Sequence, residues 1–190
     1  MIYVLNFRDV VPPGITAVNV TSRSTGWSRK LSPFFLGPVM INDRKCMNVE
    51  NAWQFSKVYP DQIDSNGDPT EEYFIWRNKG YSDTWAHRRP KGRMKPEYAW
   101  LNGKKLGYIE SRKQIYIPLY SEAVQKVKEF EMLVELYKKE KTLALIDFDA
   151  YNNYALKMSW DDVVNDSSRI MGHGFVLGQI LREESGILCI

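Results

Sequence analysis

Cysteine and histidine are scarce: the 190 residues hold two of each, Cys46, Cys189, His87 and His173. Two cysteines are too few for a disulfide framework, and these four side chains fall into no metal-ligand spacing, so free thiols and no structural metal are expected. Long apolar runs are missing too. The opening MIYVLNFRDVVPPG is too short in hydrophobic residues for a signal peptide and meets Arg8 and Asp9 at once, and no window reaches the ~20 residues of a membrane span. A cytoplasmic protein with no membrane partner is the expectation. Internal repeats and low-complexity tracts are also absent, which sets aside solenoids and disordered linkers.

What the chain does contain is an ordinary globular mixture, 44% hydrophobic and 26% charged, at a length that favours one domain spanning residues 1–190. Aromatics are plentiful, with six Trp and eleven Tyr. Each carries a polar atom that needs a partner, so some of these rings are expected to be partly exposed or to line a cleft.

Apolar alternation in IYVLNF and ITAVNVT, and the short run PVMIN, predict strands of one small sheet. Asn48 is placed to cap a helix with Glu50 in its first turn, which Tyr59-Pro60 ends. The following DQIDSNGDPTEE resembles a calcium loop only superficially: with Gly67 on the invariant glycine, the first and last ligand positions fall on Gln62 and Tyr73. A turn at Asn66-Gly67 and a helix capped by Asp68, with Glu71 closing a capping box, is the plainer reading. Residues 108–139 read as helix, split at Pro118, the second part burying Val124, Val127, Phe130, Val134 and Tyr137. TLALIDF is a buried strand, Ser159 to Asp162 opens a short helix, and GHGFVLGQILREE is a closing helix with Val176, Leu177, Ile180 and Leu181 on one side. The class is α+β, mostly helical with a small sheet.

Net charge is only +3, but WAHRRPKGRMK, about residues 85–95, holds Arg88, Arg89, Lys91, Arg93 and Lys95 with no acid. The other 21 basic residues face 23 acidic ones. Such a loop flanked by Trp85, Tyr98 and Trp100 is either a solvated basic loop or a phosphate or nucleic-acid contact, since cations hold phosphates and ring faces stack bases.

At about 100° per residue, Glu50, Gln54 and Lys57 share about 60° of one helix face, with Trp53 beside them and Ala52, Phe55 and Tyr59 turned to a core. Spacing alone leaves two readings, a wet surface or one wall of a site. The preceding residues add a resemblance. LSPFFLGPVMINDRKCMNVENAWQFSKVY resembles the central signature of the NADAR (NAD and ADP-ribose related) superfamily, with Leu31, Ser32, Phe34, Pro38, Val49, Glu50, Gln54 and Lys57 at matching positions. Similarity continues in LALIDFDAYNN and GHGFVLGQILRE. The departures are Pro33 where the family has Asn, Asn51 where it has His, Tyr154-Ala155 in place of Trp-Gly, and no Asn in the final motif. They resemble a divergent branch, and for one of viral origin the location is the host cytoplasm.

The resemblance implies an N-glycosidase that cleaves a ribose C1–nitrogen bond in an ADP-ribosylated or modified nucleotide, ADP-ribosylated guanine in DNA among them, with no cofactor. In that reading Lys57 is the nucleophile, Glu50 the acid/base, and Asp149 a further catalytic carboxylate. Carboxylates stabilise charge at C1, and a lysine of lowered pKa can form a Schiff base with the opened sugar. Substrate-binding candidates are Arg23, Ser32, Phe34, Trp53, Gln54, Asp147, Tyr151 and His173, with Arg88, Arg89, Lys91 and Arg93 for nucleic acid or phosphate. Two alternatives stay open: a non-catalytic nucleotide or nucleic-acid binding module, and a glycosidase of a modified DNA base. A haloacid-dehalogenase-like reading of LALIDFDAY is set aside, because that motif opens a large α/β domain and only about 40 residues remain here.

Overall fold

In the computed structural model, which describes residues 1–186, the N-terminal alternating segments become β1 (Ile2–Asn6) and β2 (Thr16–Asn19). Then come β3 (Val39–Ile41), β4 (Arg44–Cys46), helix α1 (Val49–Phe55) and the two-residue strand β5 (Lys57–Val58). Helix α2 (Glu71–Ser82) precedes β6 (Tyr98–Leu101) and β7 (Lys104–Leu106). Helices α3 (Tyr108–Ser111), α4 (Ile117–Val124) and α5 (Lys128–Glu140) lead to β8 (Leu143–Asp147), and α6 (Trp160–Asn165) and α7 (His173–Ser185) follow. The class is α+β, with helix in the majority. Cys189 lies outside the described residues, whereas Cys46 is a buried free thiol. The chain divides into two compact units, Met1–Ser32 with Tyr120–Ile190, and Pro33–Leu119.

In the first unit the apolar run LALI has a neighbour on each side, because β8 is the middle strand of the parallel order β1-β8-β2. Leu143 is in register with both Ile2 and Thr16. Helix α7 packs on β1 and β8, with Val176, Leu177, Ile180 and Leu181 all buried as its periodicity predicts. Helix α5 packs on α7 through a stripe of Phe130, Leu133 and Tyr137, while Val127 and Val134 of the expected stripe are only half-buried. The expected break at Pro118 falls instead at residues 125–127. Pro118 lies inside a helical run unbroken from residue 108 to 124, and Arg112–Tyr116 just before it widen into a π-helical turn.

In the second unit, PVMIN does not join the N-terminal strands as expected. It pairs with β4 in a sheet of its own, because Asn42 and Asp43 both adopt left-handed φ (51° and 56°) and close a two-residue turn that sets Ile41 opposite Arg44. Asn102 and Gly103 (48° and 81°) do the same for β6 and β7, which form an antiparallel order β5-β6-β7. The core here gathers Cys46, Ala52, Phe55, Tyr81, Ala99, Leu106 and Ile115. The cap of α2 is Thr70, not Asp68: the Thr70 hydroxyl accepts from Tyr73 N (3.4 Å), while the Asp68 carboxylate meets Lys105 Nζ at 2.8 Å.

Candidate functional site

Helix α1 starts as its sequence predicts, with the Asn48 side chain accepting from Asn51 N at 2.8 Å. It ends earlier than expected. The helix stops at Phe55, and Lys57 lies on β5, opposite Ala99 of β6. The cause is that the end carbonyls find partners elsewhere. Tyr73 Oη donates to Phe55 O (3.3 Å) and Ser56 O (3.1 Å), Trp100 N donates to Ser56 O (2.7 Å), and the Ser56 hydroxyl donates to Trp53 O (2.9 Å). With those acceptors satisfied, the chain turns out of the helix and Val58 pairs with Tyr98.

Lys57 still meets the helix through its long side chain. Its Nζ donates to Gln54 Oε1 at 2.8 Å, and Gln54 Nε2 donates to Glu50 Oε1 at 2.9 Å. A carboxylate only accepts and an ammonium only donates, so the amide between them has one orientation that satisfies both. The face is not wet: Glu50 is 5% exposed and Gln54 9%. Trp53 roofs the lysine, with Nζ 4.5 Å from its ring centroid, and Trp53 in turn leans on Tyr116 (5.2 Å). Burial pushes the Lys57 ammonium down from 10.5 to about 8, against the smaller upward pull of the Glu50 carboxylate. The result is an acid, an amide and a lysine in line, the lysine holding its proton loosely.

Asn51, read from sequence only as a departure from a family motif, is fully buried and ties the start of the basic loop to α1. Its amide donates to Asp83 O (3.0 Å) and Trp85 O (2.8 Å), and its carbonyl accepts from His87 N (2.8 Å). The signal was in the sequence: Asn51 precedes Phe55 by four residues and so shares the core-facing side of α1. Beyond it Arg88, Arg89, Arg93 and Lys95 are exposed, whereas Lys91 reaches Asp61 at 2.6 Å and lies 5.8 Å from the Trp76 ring centroid. Phe34 is half-buried in the same unit.

The remaining expected residues belong to the first unit. Asp147 and His173 are brought together, with His173 Nδ1 3.2 Å from Asp147 Oδ2 and Nε2 2.8 Å from Val20 O. Asp147 Oδ2 also accepts from Gly174 N at 2.9 Å, so this carboxylate fastens the start of α7 to the end of β8. Asp149 is half-buried, and its backbone carbonyl accepts from Gly172 N at 3.1 Å. Tyr151 packs on Phe175 (4.7 Å between centroids), Ser32 is buried at the end of a 3₁₀ turn, and the exposed Arg23 lies over Phe148 at 5.4 Å. A groove lined by Phe130, Val134 and Glu184 in this unit contains none of the expected site residues.

A family model described as "Family of unknown function (DUF6939)" matches residues 7–159, so the chain belongs to that family. No curated protein and no solved structure matches it. The matched span contains the Glu50–Lys57 segment and the basic loop and stops before α7.

Proposed function

We propose that this protein is an N-glycosidase that breaks a ribose C1–nitrogen bond in an ADP-ribosylated or otherwise modified nucleotide. The observation that carries the reading is the line from buried Glu50 through buried Gln54 to half-buried Lys57, with the ammonium pushed down to about 8. The reaction class comes from the resemblance to the NADAR superfamily. At pH 7 roughly a tenth of such a lysine is free amine, against well under a hundredth for an ordinary one. Lys57 Nζ bonds to C1 as the bond from C1 to the base nitrogen breaks. The base leaves with that electron pair and takes up the proton shed by Nζ; ring opening gives an imine, which water hydrolyses to free sugar and amine. Glu50, held by Gln54, stabilises the positive charge that builds at C1.

Borohydride added during turnover of ADP-ribosylated DNA or a modified nucleotide reduces that imine. Peptide mass spectrometry is expected to find the sugar on Lys57, and on no residue of the Lys57→Met variant. Product formed without any adduct would remove the imine and leave hydrolysis through carboxylates. The rival, a non-catalytic binding module, draws on one feature: Lys57 already rests on Gln54 and Trp53. Tight binding without product across that panel would favour it, and product from a modified DNA base alone would favour the third reading.

A further inference from the structure

Gln54 stands where an ion pair would otherwise form. Glu50 and Lys57 carry opposite charges, and each reaches one end of the same amide: Gln54 Nε2 donates to Glu50 Oε1 at 2.9 Å, and Lys57 Nζ donates to Gln54 Oε1 at 2.8 Å. Helical spacing explains the first contact, since residues four apart on α1 are neighbours on its face. The second follows from the early end of α1, which puts Lys57 on β5 with Ala99 across from it. Trp53 covers the ammonium, its ring centroid 4.5 Å from Nζ, and Glu50 is the charge that acts on it. Gln54 is 9% exposed, so protein groups rather than solvent supply the amide's partners. Opposite charges drawn out of water attract strongly and close on each other unless something stands between them.

We infer that Gln54 is a positioning residue, a neutral spacer that keeps the Glu50 carboxylate and the Lys57 side chain from pairing and gives each a hydrogen bond instead. Its part in turnover rests on the glycosidase reading; its part as a spacer does not. An ammonium in direct contact with a carboxylate keeps its proton, and a carboxylate neutralised in that way has little left for positive charge at C1. The amide avoids both losses. It accepts at one end, donates at the other, carries no charge and does not titrate. No other side chain of similar length does this: Glu would set a second carboxylate against the ammonium, Lys would only donate, and Met would leave both neighbours without their bond.

The test follows the Lys57 signal of the full chain, reductively methylated with 13C, by NMR as pH is raised. Gln54→Ala opens the space between the charges and is expected to move the midpoint from about 8 to about 9 or above. Gln54→Met fills that space without bonding and is expected to leave the midpoint at about 8 or lower. Adding Glu50→Gln to Gln54→Ala is expected to cancel the rise. Water entering a cavity at residue 54 would raise the midpoint in this double variant as well, so a rise that survives Glu50→Gln overturns the inference, as does an unmoved or lower midpoint in Gln54→Ala. Thermal melts show which variants fold. Gln54→Met decides the matter should Gln54→Ala fail to fold, because a midpoint in it well above that of the unaltered chain also overturns the inference. In turnover of a modified nucleotide, Gln54→Ala is expected to lower kcat about tenfold at pH 7, in step with the loss of free amine, to change KM little, and to recover as pH passes the new midpoint. A raised midpoint with no turnover by the unaltered chain keeps the spacer and removes the glycosidase; a sugar adduct on Lys57 with an unmoved midpoint does the reverse.

Discussion

Lys57 owes its loosened proton to position: the strand β5 carries it back over α1, where burial under Trp53 outweighs the attraction of Glu50. The sign of the pH dependence follows. A lysine whose folded pKa lies below its unfolded value contributes nothing above pH 10.5. It opposes folding increasingly as pH falls towards 8, and by a constant amount below that, so alkaline titration through this window adds stability. Reductive methylation with 13C followed by NMR is expected to show one lysine signal with a midpoint near 8, missing in Lys57→Arg. In Glu50→Gln the midpoint should fall further, because the carboxylate that raises it is gone; an upward move would contradict the assigned balance. Asn51 gives a second residue-scale prediction. Truncation to Ala strips partners from two part-buried backbone carbonyls and one part-buried N–H, an expected loss of about 1–3 kcal/mol. Urea unfolding should show this as a lower midpoint with the slope unchanged.

At the scale of elements, the glycines of GHGFVLG separate by what each faces. A Cβ on Gly172 would run into the Asp147 carboxylate and approach the Asp149 backbone, so Gly172→Ala is expected to cost about 1–3 kcal/mol. A Cβ on Gly178 would meet Ile2 and Val4 at an ordinary 3.4 Å inside a helix, so Gly178→Ala should be neutral or stabilise by up to ~1 kcal/mol. Paired thermal melts decide this, and equal losses would mean that α7 does not seat on β8 through Gly172. Element ends are also where sequence and structure part. Caps made by a side chain on its own neighbours, Asn48 and Ser159, were legible because both partners lie within four residues. The end of α1 was not, since Tyr73 and Trp100 supply its partners from far along the chain. The hairpin β6–β7 carried a local signal, Asn102-Gly103 between Leu101 and Lys104.

For the whole molecule, composition and periodicity determined the α+β class, and among the described residues no helix is long and apolar enough to cross a membrane. A net charge of +3 conceals a segregation that was plain in the sequence, five cations in one loop and a remainder of 21 basic against 23 acidic residues. The sequence by itself placed Glu50, Gln54 and Lys57 on one face, on the premise of a helix that runs on to Tyr59. Only tertiary structure decided that this side is buried, that Lys57 reaches Gln54 from a strand paired with Ala99, and that Asn51 secures the basic loop beside them. The reason is one of range. Periodicity and capping are set by neighbours within a turn, and they state which side chains share a face. What covers that face, strips its water and lowers a lysine's pKa is contributed by residues up to about sixty positions away, through contacts no local pattern encodes.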